Sequence, residues 1–121
     1  MAVPEPTRDA LNVAALAAAS RQADNVSAVD VADRLGITDA FFFASAETER
    51  QVKSVIEEIE DDLRERLELK PIRREGQAEG RWVLLDYGHF VVHVQHEEER
   101  ENYALDRLWA DAPQIELPEA E

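Results

Sequence analysis

Apolar residues recur along this chain at two different periods, and the change of period marks out its elements. Val52, Val55, Ile56, Ile59, Leu63 and Leu67 fall at the i, i+3, i+4, i+7 spacing that lines one face of an α-helix, while Glu57, Glu58, Asp61, Asp62 and Arg64 occupy its other faces. Thr48 with Gln51 three residues later fits a capping box, Ser45 is an alternative capping oxygen, and Pro71 marks the stop. Earlier, Leu11, Ala14, Ala15 and Ala18 repeat at helical spacing in an alanine-rich run behind Thr7, a suitable N-cap. This predicts a helix over residues 8–22 ended by Asp24-Asn25, since asparagine tolerates the left-handed backbone that closes a helix.

Short apolar, β-branched and aromatic runs predict the strands. Residues 26–31 read as one, left by an Arg34-Leu35-Gly36 turn, and residues 40–44, carrying Phe41, Phe42 and Phe43, as a second and fully buried one. Residues 82–87 and 90–96 flank Gly88-His89, the composition of a two-residue type II′ hairpin turn. Apolar residues fall on both faces of that hairpin, which predicts a central place in a sheet covered on both sides. Residues 71–75 read as a short edge strand, where proline is tolerated, and residues 97–101 as an acidic bend that breaks the sheet. Tyr103, Leu105, Leu108 and Trp109 support a short terminal helix. The order predicts an α/β (α+β) chain, a mixed five-stranded sheet flanked by helices, forming one domain over residues 1–112. The acidic tail, residues 113–121 with Pro113 and Pro118, is expected to be disordered.

Composition narrows the function. There is no cysteine in the 121 residues, which excludes a disulfide framework, a thiolate zinc site and a cysteine nucleophile. No apolar run approaches the roughly 18 residues of a membrane span, and the N-terminal residues lack the basic and apolar regions of a signal peptide, so a cytoplasmic location with no membrane partner is expected. Thirteen basic against 27 acidic residues leave a net charge of −14, which opposes direct readout of nucleic acid; the basic residues gather only weakly, at Lys70, Arg73, Arg74 and Arg81. Such a domain suits a basic protein surface, although acidity equally serves solubility alone.

Candidate chemistry is sparse. His89, His93 and His96 suggest a metal site, but in an extended strand His96 points away from the other two, so they converge only across a bulge. Surface or partly buried histidines are the ordinary alternative, with a hydrogen-bonding role for His93 at an interface beside it. Asp30, Asp39 and Asp86 sit in or at the ends of strands, where carboxylates hold Mg²⁺ in phosphoryl or nucleotidyl transfer. Yet the chain lacks an Asp-x-Asp pair, a P-loop and a glycine-rich strand-to-helix turn, and capping or turn roles account for these aspartates. Trp82 and Trp109 fit a core. Trp82 also begins a strand beside a glycine-bearing loop, where an amphipathic ring can anchor a partner.

Five stretches in order carry a family resemblance: Ile37-Thr38-Asp39-Ala40-Phe41-Phe42-Phe43-Ala44-Ser45; Glu49-Arg50-Gln51-Val52; Glu75-Gly76 before Trp82-Val83-Leu84-Leu85-Asp86-Tyr87; Val91-Val92-His93-Val94; and Tyr103-Ala104-Leu105-Asp106-Arg107-Leu108-Trp109. Over residues 8–110 the chain resembles the Iojap family, the ribosomal silencing factors, and its Arg73-Arg74-Glu75-Gly76 and acidic tail resemble actinobacterial members. The triple phenylalanine is more aromatic than the aliphatic run usual there. The resemblance implies a fold related to nucleotidyltransferases without the catalytic site, no cofactor, no metal and no reaction. It implies binding to the large ribosomal subunit through its protein fourteen, a steric block to subunit joining under nutrient limitation, and a homodimer in isolation. It places the partner-binding surface at Trp82, Leu84, Asp86 and Tyr87, with His93 on the next strand and Glu75 as a second acidic contact. By strand parity Asp86 shares the face of Trp82 and Leu84, and Tyr87 does not. The competing reading is a divergent Mg²⁺-dependent nucleotidyltransferase using Asp39 and Asp86.

Overall fold

A five-stranded mixed sheet in the order β1-β2-β5-β4-β3 runs through the middle of the computed structural model, which describes residues 3–36, 38–103 and 105–118, with only the backbone at residues 34, 35 and 106. The strands are β1 (Asp24–Asp30), β2 (Ala40–Ala46), β3 (Arg73–Glu75), β4 (Trp82–Asp86) and β5 (Phe90–His96). β2 and β5 pair in parallel, and the other neighbours are antiparallel. A parallel pair needs a long crossover. Here it begins with the helix α3 (Glu49–Leu67) and returns to the sheet through β3 and β4.

The helix α1 (Glu5–Ser20) packs with α3 on one face of the sheet. The α3 stripe is Val52, Val55, Ile56, Ile59 and Leu63, all buried, and it meets Ala10, Leu11, Ala14 and Ala18 of α1 and the inward residues Phe42, Ala44, Val83, Leu85, Val92 and Val94 of the sheet. Thr48 caps α3 as expected, its side chain accepting from the Gln51 N–H at 3.0 Å. The start of α1 differs from expectation: Pro4 is its N-cap, Pro6 sits in its first turn, where the missing N–H has no helical partner to lose, and Thr7 lies buried inside the helix. Its end differs too. Gln22, not Asn25, takes the left-handed conformation behind α1 (φ 61°), and Asn25 (φ 51°) belongs to an irregularity where the β1 register shifts between Asp24 and Ser27.

The hairpin forms as anticipated, with Gly88 at φ 87°, His89 not at positive φ, and the Tyr87 N–H donating to the Phe90 carbonyl at 3.0 Å. A positive φ at the first of the two turn residues is the conformation that glycine supplies there. β3 is an edge strand, as expected, with all three residues exposed. Residues 34–36 end a single helical turn, α2 (Ala32–Leu35), closed by Gly36 in the left-handed region.

The acidic bend is instead a helix, α4 (Glu97–Asn102). The His96 imidazole accepts from the Glu98 N–H, and three glutamates in the first turn complement the helix dipole, so a polar run without apolar period still winds. α5 (Leu105–Leu108) follows. The start of the tail departs from expectation as well. Asp30 N–H donates to the Pro113 carbonyl at 2.8 Å and Ile115 N–H to the Ala28 carbonyl at 2.9 Å, so the chain lies antiparallel along the outer edge of β1. Ile115 and Leu117 pack on the core, while residues 119–121 lie outside the described residues.

Candidate protein-docking face

The second face of the sheet is built from the residues that alternate with the core positions, and register sorts them into rows. One row runs Arg73, Asp86, Val91, Phe41, Val29 across the five strands; the next runs Glu75, Leu84, His93, Phe43, Ser27; the third holds Trp82, Gln95 and Ser45. Residues paired directly across strands share a face. Trp82, Leu84, Asp86, His93 and Glu75, expected to act together, therefore do lie on one face. Tyr87 does not. Its ring stacks on Phe90 at 4.7 Å within the helix-side core and is 8 % exposed, burial raising its hydroxyl above the usual range.

The cover of this face is uneven. Over β1 and β2 the C-terminal segment supplies Leu105, Trp109 and Ala112, which pack on Val29, Val31, Phe41 and Phe43, with the Trp109 ring edge-on to Phe41 at 5.6 Å. The Arg100 guanidinium sits 5.7 Å from the centroid of the Phe43 ring. Over β4 and β5 this apolar cover stops, and Trp82, Leu84 and Val91 stay half-buried. Tyr103, 55 % exposed, lays its ring 5.4 Å from that of Trp82 and extends the strip. Sequence reasoning placed Tyr103 in a terminal helix but did not bring it to the face. Its signal was an aromatic immediately after a helix whose return over the sheet is set by long-range packing.

The acidic candidates are anchored by local bonds. Asp86 accepts from the Gly88 N–H at 2.8 Å, closing the turn, and its other oxygen lies 3.4 Å from Arg73. Arg73 also approaches Glu75 at 3.5 Å. Beside Trp82, Arg81 gathers Glu49, Glu98 and Glu99 at 3.4, 2.9 and 3.1 Å, tying the start of α3 to the start of α4, and it holds the Glu98 carboxyl below its usual range.

The remaining candidates disperse. His89 is on the exposed turn, His93 is buried and His96 caps α4. Asp30 accepts from the Ala32 N–H, Asp39 faces His89 at 3.7 Å, and Asp86 is spent on the hairpin. Among the described residues the acids that converge are Asp24, Glu47 and Glu97, all exposed and away from Asp39 and Asp86. No helix among the described residues is long and apolar enough to cross a membrane.

Residues 4–121 match the family model described as ribosomal silencing factor during starvation. Curated relatives named ribosomal silencing factor include one from Bacillus subtilis, 37% identical over 108 residues that span 88% of this chain and 90% of the relative. Another, from Halalkalibacterium halodurans, is 37% identical over 111 residues, 91% of this chain and 93% of that one. A crystal structure of a protein from Bacillus halodurans superposes with a TM-score of 0.78 at 33% identity, covering 91% of this chain and 99% of that one. An X-ray structure from Chromobacterium violaceum gives 0.79 at 25% identity, covering 91% and 88%. The match of the family model over residues 4–121, the relatives at 37% identity over most of the chain and the shared fold place this chain in the ribosomal silencing factor family, named for regulation and not for a reaction.

Proposed function

We propose that the half-open face docks onto the large ribosomal subunit through its protein fourteen, and that the bound domain sterically prevents the small subunit from joining. The observation that carries this reading is the strip of half-buried Trp82, Leu84 and Val91 with the exposed Tyr103 against Trp82, on a chain of net charge −14. Half-exposed aromatic and aliphatic residues in one patch are what a protein interface buries at its centre, and an acidic surround meets a basic partner with complementary charge while being repelled by bare RNA. Glu75 and Asp86 flank the strip and form its acidic rim toward β3. Trp82 is the anchor, Leu84 shares its face, and His93 lies beneath them. Tyr87, on the far side of the sheet, contributes to stability and not to contact. The factor acts in the cytoplasm, where ribosomes assemble, and away from the ribosome the same strip is available to a second copy of the chain.

The test is co-sedimentation of the protein with purified large subunits, followed by small subunits at fixed Mg²⁺. Comigration with the large subunit and loss of the joined peak is the expected result. Trp82→Ala should cost about 2 kcal/mol, roughly a 30-fold weaker association, with the circular dichroism spectrum retained. A protein that stays at the top of the gradient and leaves joining intact overturns the reading.

A further inference from the structure

The indole N–H of Trp82 donates to Nδ1 of His93 at 3.2 Å, from the half-buried first residue of β4 to a buried position on β5. The two are not cross-strand partners, since Trp82 stands opposite Gln95 and His93 opposite Leu84. The bond therefore runs diagonally, and the rings are tilted by 52° at 6.2 Å, so it is a directed contact and not stacking. His93 is itself held firmly: it stacks on Phe43 at 5.5 Å and meets Phe41 edge-on at 5.3 Å. Below the Trp82 backbone, Gly76 at φ 84° leaves no room, because a Cβ there would fall 1.9 Å from the Trp82 carbonyl oxygen.

We propose that His93 is a positioning residue for docking, not a contact: as an acceptor at Nδ1 it fixes the Trp82 ring and occupies its only polar group. The inference rests on the docking reading above for its functional half. Its consequence is chemical. With the N–H already bonded, what Trp82 offers a partner is ring surface alone, so the partner side chain seated there is one that needs no hydrogen bond from it, an aliphatic group or the flat face of an arginine. A pre-set ring also loses no rotamer freedom on binding, which raises affinity without any added contact.

The role requires an unprotonated Nδ1. The groups packed on His93 are the rings of Phe41, Phe43 and Trp82, with Leu84 opposite, and the Arg100 guanidinium lies 5.7 Å from the Phe43 ring centroid; no carboxylate faces His93 among the contacts described. Burial accordingly pushes the His93 pKa down to about 4, and the acceptor persists through the neutral range.

The experiment uses uniformly ¹⁵N-labelled full-length protein, with the two indole signals assigned by Trp109→Phe. In the wild type, His93 should show an unprotonated Nδ1 and a protonated Nε2, and the Trp82 indole proton should exchange slowly. His93→Phe keeps an aromatic ring and removes the acceptor; the Trp82 indole proton should then shift upfield and exchange faster, and affinity for the large subunit should fall about fivefold, the worth of one neutral hydrogen bond. His93→Asn, whose Oδ1 reaches the place of Nδ1, should restore most of both. A wild-type Nδ1 that carries the proton overturns the proposal, as does an unaltered Trp82 signal in His93→Phe. Equal loss of affinity in both variants despite a restored indole signal in His93→Asn also overturns it. If the wild type does not bind large subunits while the indole signature is as expected, the docking reading fails and the ring-fixing bond stands.

Discussion

The two faces of the sheet are covered by different means. The face under α1 and α3 is sealed by two long helices, and its inward residues, among them Phe42, Val83, Leu85, Val92 and Val94, are fully or almost fully buried and apolar. The opposite face carries Phe41, Phe43, His93, Gln95, Ser45, Trp82 and Leu84, a mixture of rings and hydrogen-bonding groups, and its cover is a strap of two short helices and an extended segment that leaves Trp82 and Leu84 half-open. Apolar burial makes the first face stable, while the second leaves exposed the side chains on which the proposed docking rests.

The largest effect that separates the faces comes from neighbours on one strand. Leu85→Ala opens a cavity in the sealed face, where the side chain has no exposure, and should cost about 3–5 kcal/mol in urea unfolding. Its large-subunit affinity should be unchanged under conditions where the variant stays folded. Leu84→Ala, one residue back on the open face, should cost about 1 kcal/mol of stability, and its measurable defect should be in co-sedimentation. Equal stability losses for the two would show that the strap side is packed as tightly as the helix side, and would end the comparison.

A second difference is titration. His93 is neutral in both folded and unfolded chains at pH 7; below its ordinary value of 6.5 the unfolded chain takes up a proton that the folded chain refuses until about pH 4. The unfolded state then binds more protons, so stability from this group is complete above about pH 6.5 and declines as pH falls toward 4, by on the order of 3 kcal/mol. The check is the urea midpoint of wild type against His93→Phe at pH 7 and pH 4.5. The variant should lose less on acidification, and parallel losses would assign the acid sensitivity to other groups.

How far the chain could be read before its structure follows the same division. The α3 stripe, the hairpin and its Gly88 turn, and the Pro71-led edge strand were all visible, because each is encoded by local spacing or by a backbone requirement. Parity within β4 was enough to group Trp82, Leu84 and Asp86 and to set Tyr87 apart. The strap was not visible. Glu97 to Glu101 has no apolar period, and the pairing of Pro113 with Asp30 or of Trp109 with Phe41 spans tens of residues, where no local pattern specifies a partner. The bond from Trp82 to His93 escaped for a related reason: a diagonal contact depends on side-chain rotamers, which spacing does not convey.

The smallest effect tests whether the sealed face can be loosened without touching the open one. Thr48 caps α3 through its side-chain oxygen, and Gln51, which receives that cap, also donates to the Arg21 and Gln22 carbonyls at 3.2 and 3.0 Å, so one residue closes the start of α3 and the end of α1 together. Thr48→Ala removes the cap oxygen and leaves Gln51 in place. The expected loss is about 1 kcal/mol in urea unfolding, with the Trp82 indole signal and large-subunit affinity at wild-type values. The distance between cap and docking strip is not empty, because Glu49 on the first turn of α3 pairs with Arg81, the residue before Trp82. A shift of the Trp82 indole resonance in Thr48→Ala would therefore show that α3 and the docking strip communicate through Arg81, and that the two faces are not independent.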